Sequence, residues 1–406
     1  MNKKIAYIVY HYWPPFFGGE LLISIERFQE LAKRGHRVTV LTSGVPGFAT
    51  HEVQDGIEIY RSPMIHDSWP GRGLRRLLFP IWVNWRLRKI PVDVVHLEST
   101  GGIGPITSNL SLAWINRAAH RRGAHTLWVL SLADTEKEAF STKGVEIRLR
   151  NFSLKRVDTI VSVGPTLHRG VLQIFPEKAV CILCGVRDDI FKPIPNNERE
   201  ELRGEMGVSP SEIVFCFLGS VGRRKGFDLL AQAFADLSIK YPNWRLWVIG
   251  PRTARESQNI DPKEVDQVCA PLGNLDQKVR YWGRVNDRNY LANLLSSSDI
   301  FILPSVREGM ALAPMEAMAA GIPVIISRLP GVTDIATSEE ETGLFIEPGD
   351  LASLRTAMIR LAVSAELRLQ MGLAAVKRVH DLFSWKKHVS DWENLYCNFS
   401  NKGSQS

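Results

Sequence analysis

The stretch that most constrains this chain runs from Asp299 to Ser327, DIFILPSVREGMALAPMEAMAAGIPVIIS. DIFIL is an apolar run of buried-strand length. A carboxylate and a glycine follow on a short loop, Glu308–Gly309. Pro314 stands where proline favours a helix start. Ala317, Met318, Ala319 and Ala320 are good helix formers. Gly321 is placed to end the helix, and Pro323 cannot continue it. PVIIS is a second strand-like run. The unit reads strand–loop–helix–strand, with Glu308 on the loop and Glu316 in the first turn of the helix.

Taken singly, each carboxylate has a plain structural reading. Glu316 would complement the helix dipole, and Glu308 would be a surface loop residue. Together, at the carboxyl end of a buried strand, they outline a site for an anion and for hydroxyl groups. The N–H groups of Gly309, Met310, Ala311 and Leu312 would hold a phosphate. The two carboxylates would accept hydrogen bonds from sugar hydroxyls.

The chain has 406 residues, 45% of them hydrophobic, enough for about two domains with real cores. No apolar run approaches the ~20 residues that span a bilayer. MNKKIAYIVY resembles the start of a signal peptide, but His11, Tyr12 and Trp13 cut the run short, so it reads as a first buried strand. The five cysteines are odd in number, and Cys181-Ile-Leu-Cys184 lacks a second pair; reduced thiols in a cytoplasmic protein are the plain reading. The net charge of +7 is uneven: residues 1–180 hold 24 Lys and Arg against 15 Asp and Glu, while the remainder is slightly acidic. Such asymmetry points to an anionic partner, a nucleic acid or a membrane surface. The excess is modest and no recognition motif accompanies it, which argues against nucleic acid.

In chain order, residues 3–10 are strand-like and enter a loop containing Gly18–Gly19, where backbone can approach a ligand closely. LLISIERFQELAKRG follows with helical periodicity, then the strand HRVTVLTSG. This is a βαβ unit, which implies a parallel sheet. The dinucleotide fingerprint G-x-G-x-x-G is absent. Residues 71–90 interleave Arg72, Arg75, Arg76, Arg86, Arg88 and Lys89 with Trp and Leu. Such a segment lies on an anionic membrane surface or packs its apolar residues in a core, and Pro80 interrupts its pattern. Strand-like runs alternate with helix-like ones as far as AVCILCGV, with a helix expected near 144–156. RDDIFKPIPNNEREE (187–201) reads as the linker. The alternation then restarts: IVFCFLGS, VGRRKG with Lys225, a helix, RLWVIGP, VRYWGRV, another helix, and the central stretch. FSWKKHVSDWENLYCNF closes the chain as an amphipathic helix. The expected architecture is α/β: residues 1–190, completed by helix 384–400, and residues 191–383, as two facing doubly wound parallel sheets with the glycine loops, Lys225 and Glu308 lining a cleft.

The residues resemble those of the retaining glycosyltransferases of family 4, which have the GT-B fold of two Rossmann-like domains. The resemblance covers nearly the whole chain. It runs through PPFFGGE, DVVH, CGVRDDIF, FLGSVGRRKGFDLL, YWGRV, LPSVREGMALAPMEAMAAGIPVI, GLFIEPGD and the FSW helix. Two glutamates separated by seven residues and followed by AMAAGIPVI are the most specific part. The resemblance implies a first domain that binds the acceptor and a second that binds a nucleotide-sugar. It implies that Glu308 contacts the donor sugar, that Glu316 holds the ribose hydroxyls, and that Lys225 lies on the diphosphate. Backbone groups near Arg284–Val285 would meet the base, and Gly18–Gly19 would close on the sugar and phosphate. The chain departs from the pattern at four positions. Ser220 stands where an arginine is usual, with Arg223 and Arg224 nearby to supply the charge. Ser131 or Ala133 falls where a histidine is usual. Cys184 and Arg187 replace an asparagine and an aspartate.

The expected activity is therefore transfer of a sugar, with retention, from a nucleotide-sugar to a carbohydrate or lipid-linked acceptor hydroxyl, as in polysaccharide or glycolipid biosynthesis. A same-fold nucleotide-sugar epimerase and a non-catalytic nucleotide-sugar-binding subunit are the alternatives. No metal or other cofactor is expected, and the location is cytoplasmic or peripheral on the inner membrane face.

Overall fold

Runs rich in Val, Ile and Phe become strands buried on both faces, as parallel sheets flanked by helices require. The computed structural model describes residues 2–12, 19–63, 71–98, 115, 117–121, 123–130, 154–253, 261–308, 310–335 and 340–398. The chain divides into two compact units, Met1–Cys184 with Lys386–Ser406, and Gly185–Trp385.

Among the described residues the first unit is a sheet of β1 (Lys4–Ile8), β2 (Arg37–Thr42), β3 (His51–Gln54), β4 (Ile57–Arg61), β5 (Val94–Glu98), β6 (His125–Leu130), β7 (Thr159–Ser162) and β8 (Ala179–Cys181). Its order is β3-β4-β2-β1-β5-β6-β7-β8. Only β3 is antiparallel to its neighbour. The β3–β4 hairpin was not anticipated, although its signal is present: Asp55 and Gly56 both take positive φ, 51° and 79°, as a type I′ turn requires, and Asp-Gly is the dipeptide that favours it. The Gly71–Leu87 helix runs through Pro80. The helix expected near 144–156 and the positions Ser131 and Ala133 lie outside the described residues.

The closing helix, Trp385–Asn398, contributes all but its first residue to this unit. Val389, Trp392 and Tyr396 are fully buried. Trp392 lies 5.1 Å from the His96 ring, and the Tyr396 hydroxyl is 2.7 Å from His96 Nδ1. Burial, with the Arg27 cation adding to it, holds His96 well below the ordinary histidine range.

The second unit has β9 (Ile213–Leu218), β10 (Trp244–Ile249), β11 (Val279–Gly283), β12 (Ile300–Leu303), β13 (Val324–Ser327) and β14 (Gly343–Ile346). They are ordered β11-β10-β9-β12-β13-β14 and pair in parallel throughout. In order of appearance this is 3-2-1-4-5-6, the dinucleotide-fold order, whose direction of winding reverses between strands 1 and 4. The 187–201 stretch is not linker throughout. Its Phe191 is fully buried, and a helix, Asn196–Glu205, begins within it.

Candidate active site

The reversal falls between β9 and β12, and the loops leaving their carboxyl ends carry the expected residues. Beyond β9 the chain makes a single 3₁₀ turn, Arg223–Lys225, and enters the Phe227–Lys240 helix through Gly226. Gly226 has φ 69° and ψ 24°, a left-handed conformation that side chains disfavour. A Cβ there would lie 1.8 Å from the Pro304 carbonyl oxygen. Glycine thus lets the β9 loop press backbone to backbone on the β12 loop. The Val306 N–H donates to the Arg224 carbonyl at 3.1 Å and fastens the two.

That approach brings Lys225 Nζ within 2.5 Å of Glu308 Oε1, with 17% and 7% of the two side chains exposed. The Ser305 hydroxyl donates to the same oxygen at 2.9 Å. Burial pushes the Lys225 ammonium below the ordinary lysine range; the Glu308 carboxylate opposes this and Arg224 adds to it. The two arginines face different ways. Arg224 Nη1 is 3.7 Å from Glu308 Oε1. The Arg223 guanidinium instead donates to Gln267 at 3.0 Å and stands 3.8 Å from Asp228, while its N–H donates to Glu264. Arg224→Ala should therefore lower kcat/KM by up to about fivefold, the most an exposed cation of this kind contributes. Arg223→Ala should leave it unchanged, and initial rates on the two variants check this.

Glu316 departs from expectation. The helix begins at Leu312, with Ala311 at its cap and no side-chain cap bond, so Glu316 lies in the second turn rather than the first. Pro314 is the third helical residue, where it still costs no intrahelical hydrogen bond. Pro314 to Ala319 are all buried, as in a helix enclosed on every side. A carboxylate there needs a partner. Arg288 supplies it at 2.5 Å from Glu316 Oε1, with its guanidinium 4.6 Å from the Phe191 ring. Arg288 opens the Arg288–Ser296 helix behind the Asp287 cap. Sequence reading missed it, and no local motif marks it. Arg284 and Val285, both half-buried, follow directly on β11. Met310 and Ala311 are buried. Gly18 and Gly309 lie outside the described residues, and Gly19 is the first residue of the Gly19–Lys33 helix.

In the first unit the corresponding reversal lies between β1 and β5. Glu98 ends β5 there and accepts hydrogen bonds from the Tyr7 and Ser24 hydroxyls. It keeps some exposure at its edge, yet burial pushes its carboxyl up to about 8. The DVVH segment of the sequence ends two residues earlier, at His96.

Two family models match the chain. Residues 198–378 match the glycosyl transferases group 1, and residues 27–185 match a glycosyl transferase 4-like domain. N-acetyl-alpha-D-glucosaminyl L-malate synthase of Bacillus anthracis is 24% identical over 98% of the chain and 97% of the relative. D-inositol 3-phosphate glycosyltransferase of Corynebacterium diphtheriae is 27% identical over 98% and 95%. Among solved structures, sucrose-phosphate synthase from Thermosynechococcus elongatus superposes with a TM-score of 0.78 at 22% identity, covering 98% of both chains. Anabaena HepE, solved in complex with UDP-glucose, superposes at 0.74 and 15% identity, covering 98% of this chain and 100% of its own. The two matches are consecutive along the sequence, and each falls on one of the two parallel-sheet units. The chain belongs to the group 1 glycosyl transferases, sugar-transferring enzymes with the GT-B fold.

Proposed function

We propose that this glycosyltransferase takes its sugar from a nucleotide-sugar held at the β9–β12 reversal of the second unit. The pairing of half-buried Lys225 with Glu308, beside a helix N-terminus without a side-chain cap, carries the reading. Helix N-termini and compact cations suit a diphosphate. Lys225, Arg224 and the N–H groups of 309–312 stabilise the charge that grows on it as the glycosidic bond breaks. Glu316, held by Arg288, accepts hydrogen bonds from the ribose, and Glu308 orients the sugar. A carboxylate already engaged by Lys225 and Ser305 is a poor nucleophile. This favours retention by same-face substitution, with the departing phosphate taking the acceptor proton, over a glycosyl-enzyme route. With these groups carrying the charge, no metal is required, and chelation with EDTA should leave turnover unchanged.

Solved neighbours support the donor class: HepE with UDP-glucose, and starch synthase IV of Arabidopsis thaliana with ADP. A thermal-shift screen against UDP-, ADP- and GDP-sugars tests it. A donor at a hundred times its Kd stabilises by about 2.7 kcal/mol, and no shift with any nucleotide-sugar would overturn the reading. Glu316→Gln should raise the donor KM by roughly 10- to 100-fold, the loss of a charge-assisted hydrogen bond, with a smaller change in kcat.

The acceptor is a carbohydrate or a lipid-linked carbohydrate, and the basic first unit meets an anionic membrane surface through residues 71–90. Among the described residues no helix is long and apolar enough to cross a membrane, so such contact would be peripheral. Co-sedimentation with anionic but not zwitterionic vesicles is the expected result.

A further inference from the structure

The Gly71–Leu87 helix carries two apolar stripes where packing needs one. Phe79, Val83 and Leu87 recur every four residues and are 3%, 0% and 0% exposed; they form the core-facing stripe. Leu78, Ile81 and Trp85 form the other, and Trp82 beside them is half-buried against the core cluster. Leu78, Ile81 and Trp85 are 39%, 46% and 47% exposed. A face that was merely solvated would be polar. This one, with Tyr60 of β4 and His51 of β3, lines an open groove of about 670 Å³, within the ~300–1,000 Å³ of ligand pockets. His51 stacks on Tyr60 at 4.3 Å and 10°.

Arg61 and Arg86 are the charged residues of the lining; Arg61 is paired with Glu52, and the Glu58 carboxylate accepts from the Tyr60 hydroxyl and stands 3.4 Å from His51 Nε2. The Arg86 guanidinium lies 3.4 Å above the Tyr60 ring, and Lys89 Nζ lies 3.8 Å above that of Trp85. Arg88, between them in the chain, is exposed, and no carboxylate is among the lining residues. Trp and Arg with apolar bodies and polar tips are the side chains that sit where hydrocarbon meets water. We propose that this groove binds the hydrocarbon chain of an anionic lipid, with the phosphate at Arg86, Arg88 and Lys89. The proposal rests on the membrane-surface reading of residues 71–90 and deepens it, because it places one chain in one groove. A second copy of the protein fits less well, since it would set these cations against their own kind.

Dodecyl phosphate below its micelle-forming concentration is the probe, titrated calorimetrically into the full chain. One molecule should bind per chain, and Trp85→Glu and Ile81→Glu should each weaken binding at least about tenfold, the effect of losing one anchoring contact. Ile239→Glu should not, since Ile239 is an 85%-exposed apolar residue of the second unit. Dodecyl maltoside should bind markedly more weakly; equal binding would remove the anionic part of the proposal. Vesicles of phosphatidylcholine with and without phosphatidylglycerol form the second arm. Binding to anionic vesicles without binding of dodecyl phosphate would overturn the groove and leave the surface reading standing. Loss of both would overturn both. A dimer in light scattering that Trp85→Glu dissociates, with no amphiphile bound, would give the groove to a second copy instead.

Discussion

Lys225→Ala should lower kcat by roughly 10²–10³, the effect of removing one preorganised group from a developing oxyanion. The lysine is nearly enclosed, and its ammonium lies 2.5 Å from Glu308. Its charge there is worth far more than in water. Removing it has two consequences. The leaving diphosphate loses its compact cation, and Glu308 is left as a buried carboxylate facing only Ser305 and the more distant Arg224. Donor binding should therefore weaken as well. Lys225→Arg should recover part of the loss, since charge returns without the same geometry. The direction of the lysine's shift adds a pH test. A base whose pKa is lowered sheds its proton earlier as pH rises. The kcat/KM profile, which reports free-enzyme groups, should fall on its alkaline side below the ordinary lysine value near 10.4. In Lys225→Arg that limb should move to higher pH. Turnover unchanged in Lys225→Ala would sink the assigned role.

Gly226→Ala is expected to damage both stability and activity although it touches no ligand. A left-handed conformation costs a side chain about 1–2 kcal/mol, and overpacking adds about 1–3 kcal/mol. The methyl would fall 1.8 Å from the Pro304 oxygen, and neither partner is a flexible side chain that can swing away. The loop bearing Ser305, Val306 and Glu308 must then move, which separates Glu308 from Lys225. Denaturant unfolding should show a loss of about 2–5 kcal/mol in total, with donor binding weakened in the fraction that remains folded. Gly204→Ala is the control. That glycine lies in the last turn of its helix with open space around it, and alanine there should stabilise slightly. Wild-type stability in Gly226→Ala would mean that the β9 and β12 loops do not press together as described.

The order of elements and the glutamate pair were legible because both are local signals. Apolar runs separated by helical periodicity gave the parallel strands β9 to β14. Gly321, with φ 80°, lies just past the helix where expected. That helix starts two residues earlier than Pro314 suggests, because proline suits any position of the first turn, not only the first. The β3–β4 hairpin is hard to read in the sequence because β3, HEVQ, has a single apolar residue and no buried face. The basic helix reads either as packed or as membrane-facing; it packs Phe79, Val83 and Leu87 into the core and leaves Leu78, Ile81 and Trp85 exposed.

By itself, then, the sequence determined the alternation that makes two doubly wound units and the family, and it singled out Lys225, Glu308 and Glu316 as candidates. Periodicity and turn chemistry act between near neighbours in the chain, so one sequence suffices to read them. Tertiary structure alone decided which groups those three residues meet. Glu308 meets Lys225 because a glycine lets two strand-end loops touch. Glu316 meets Arg288, twenty-eight residues away, because a helix buried on all sides must find a cation for its carboxylate. Arg224 rather than Arg223 turns to the site because consecutive residues of a 3₁₀ turn point in different directions. Charge pairing through space leaves no periodic trace in the chain, and only folding brings these groups together.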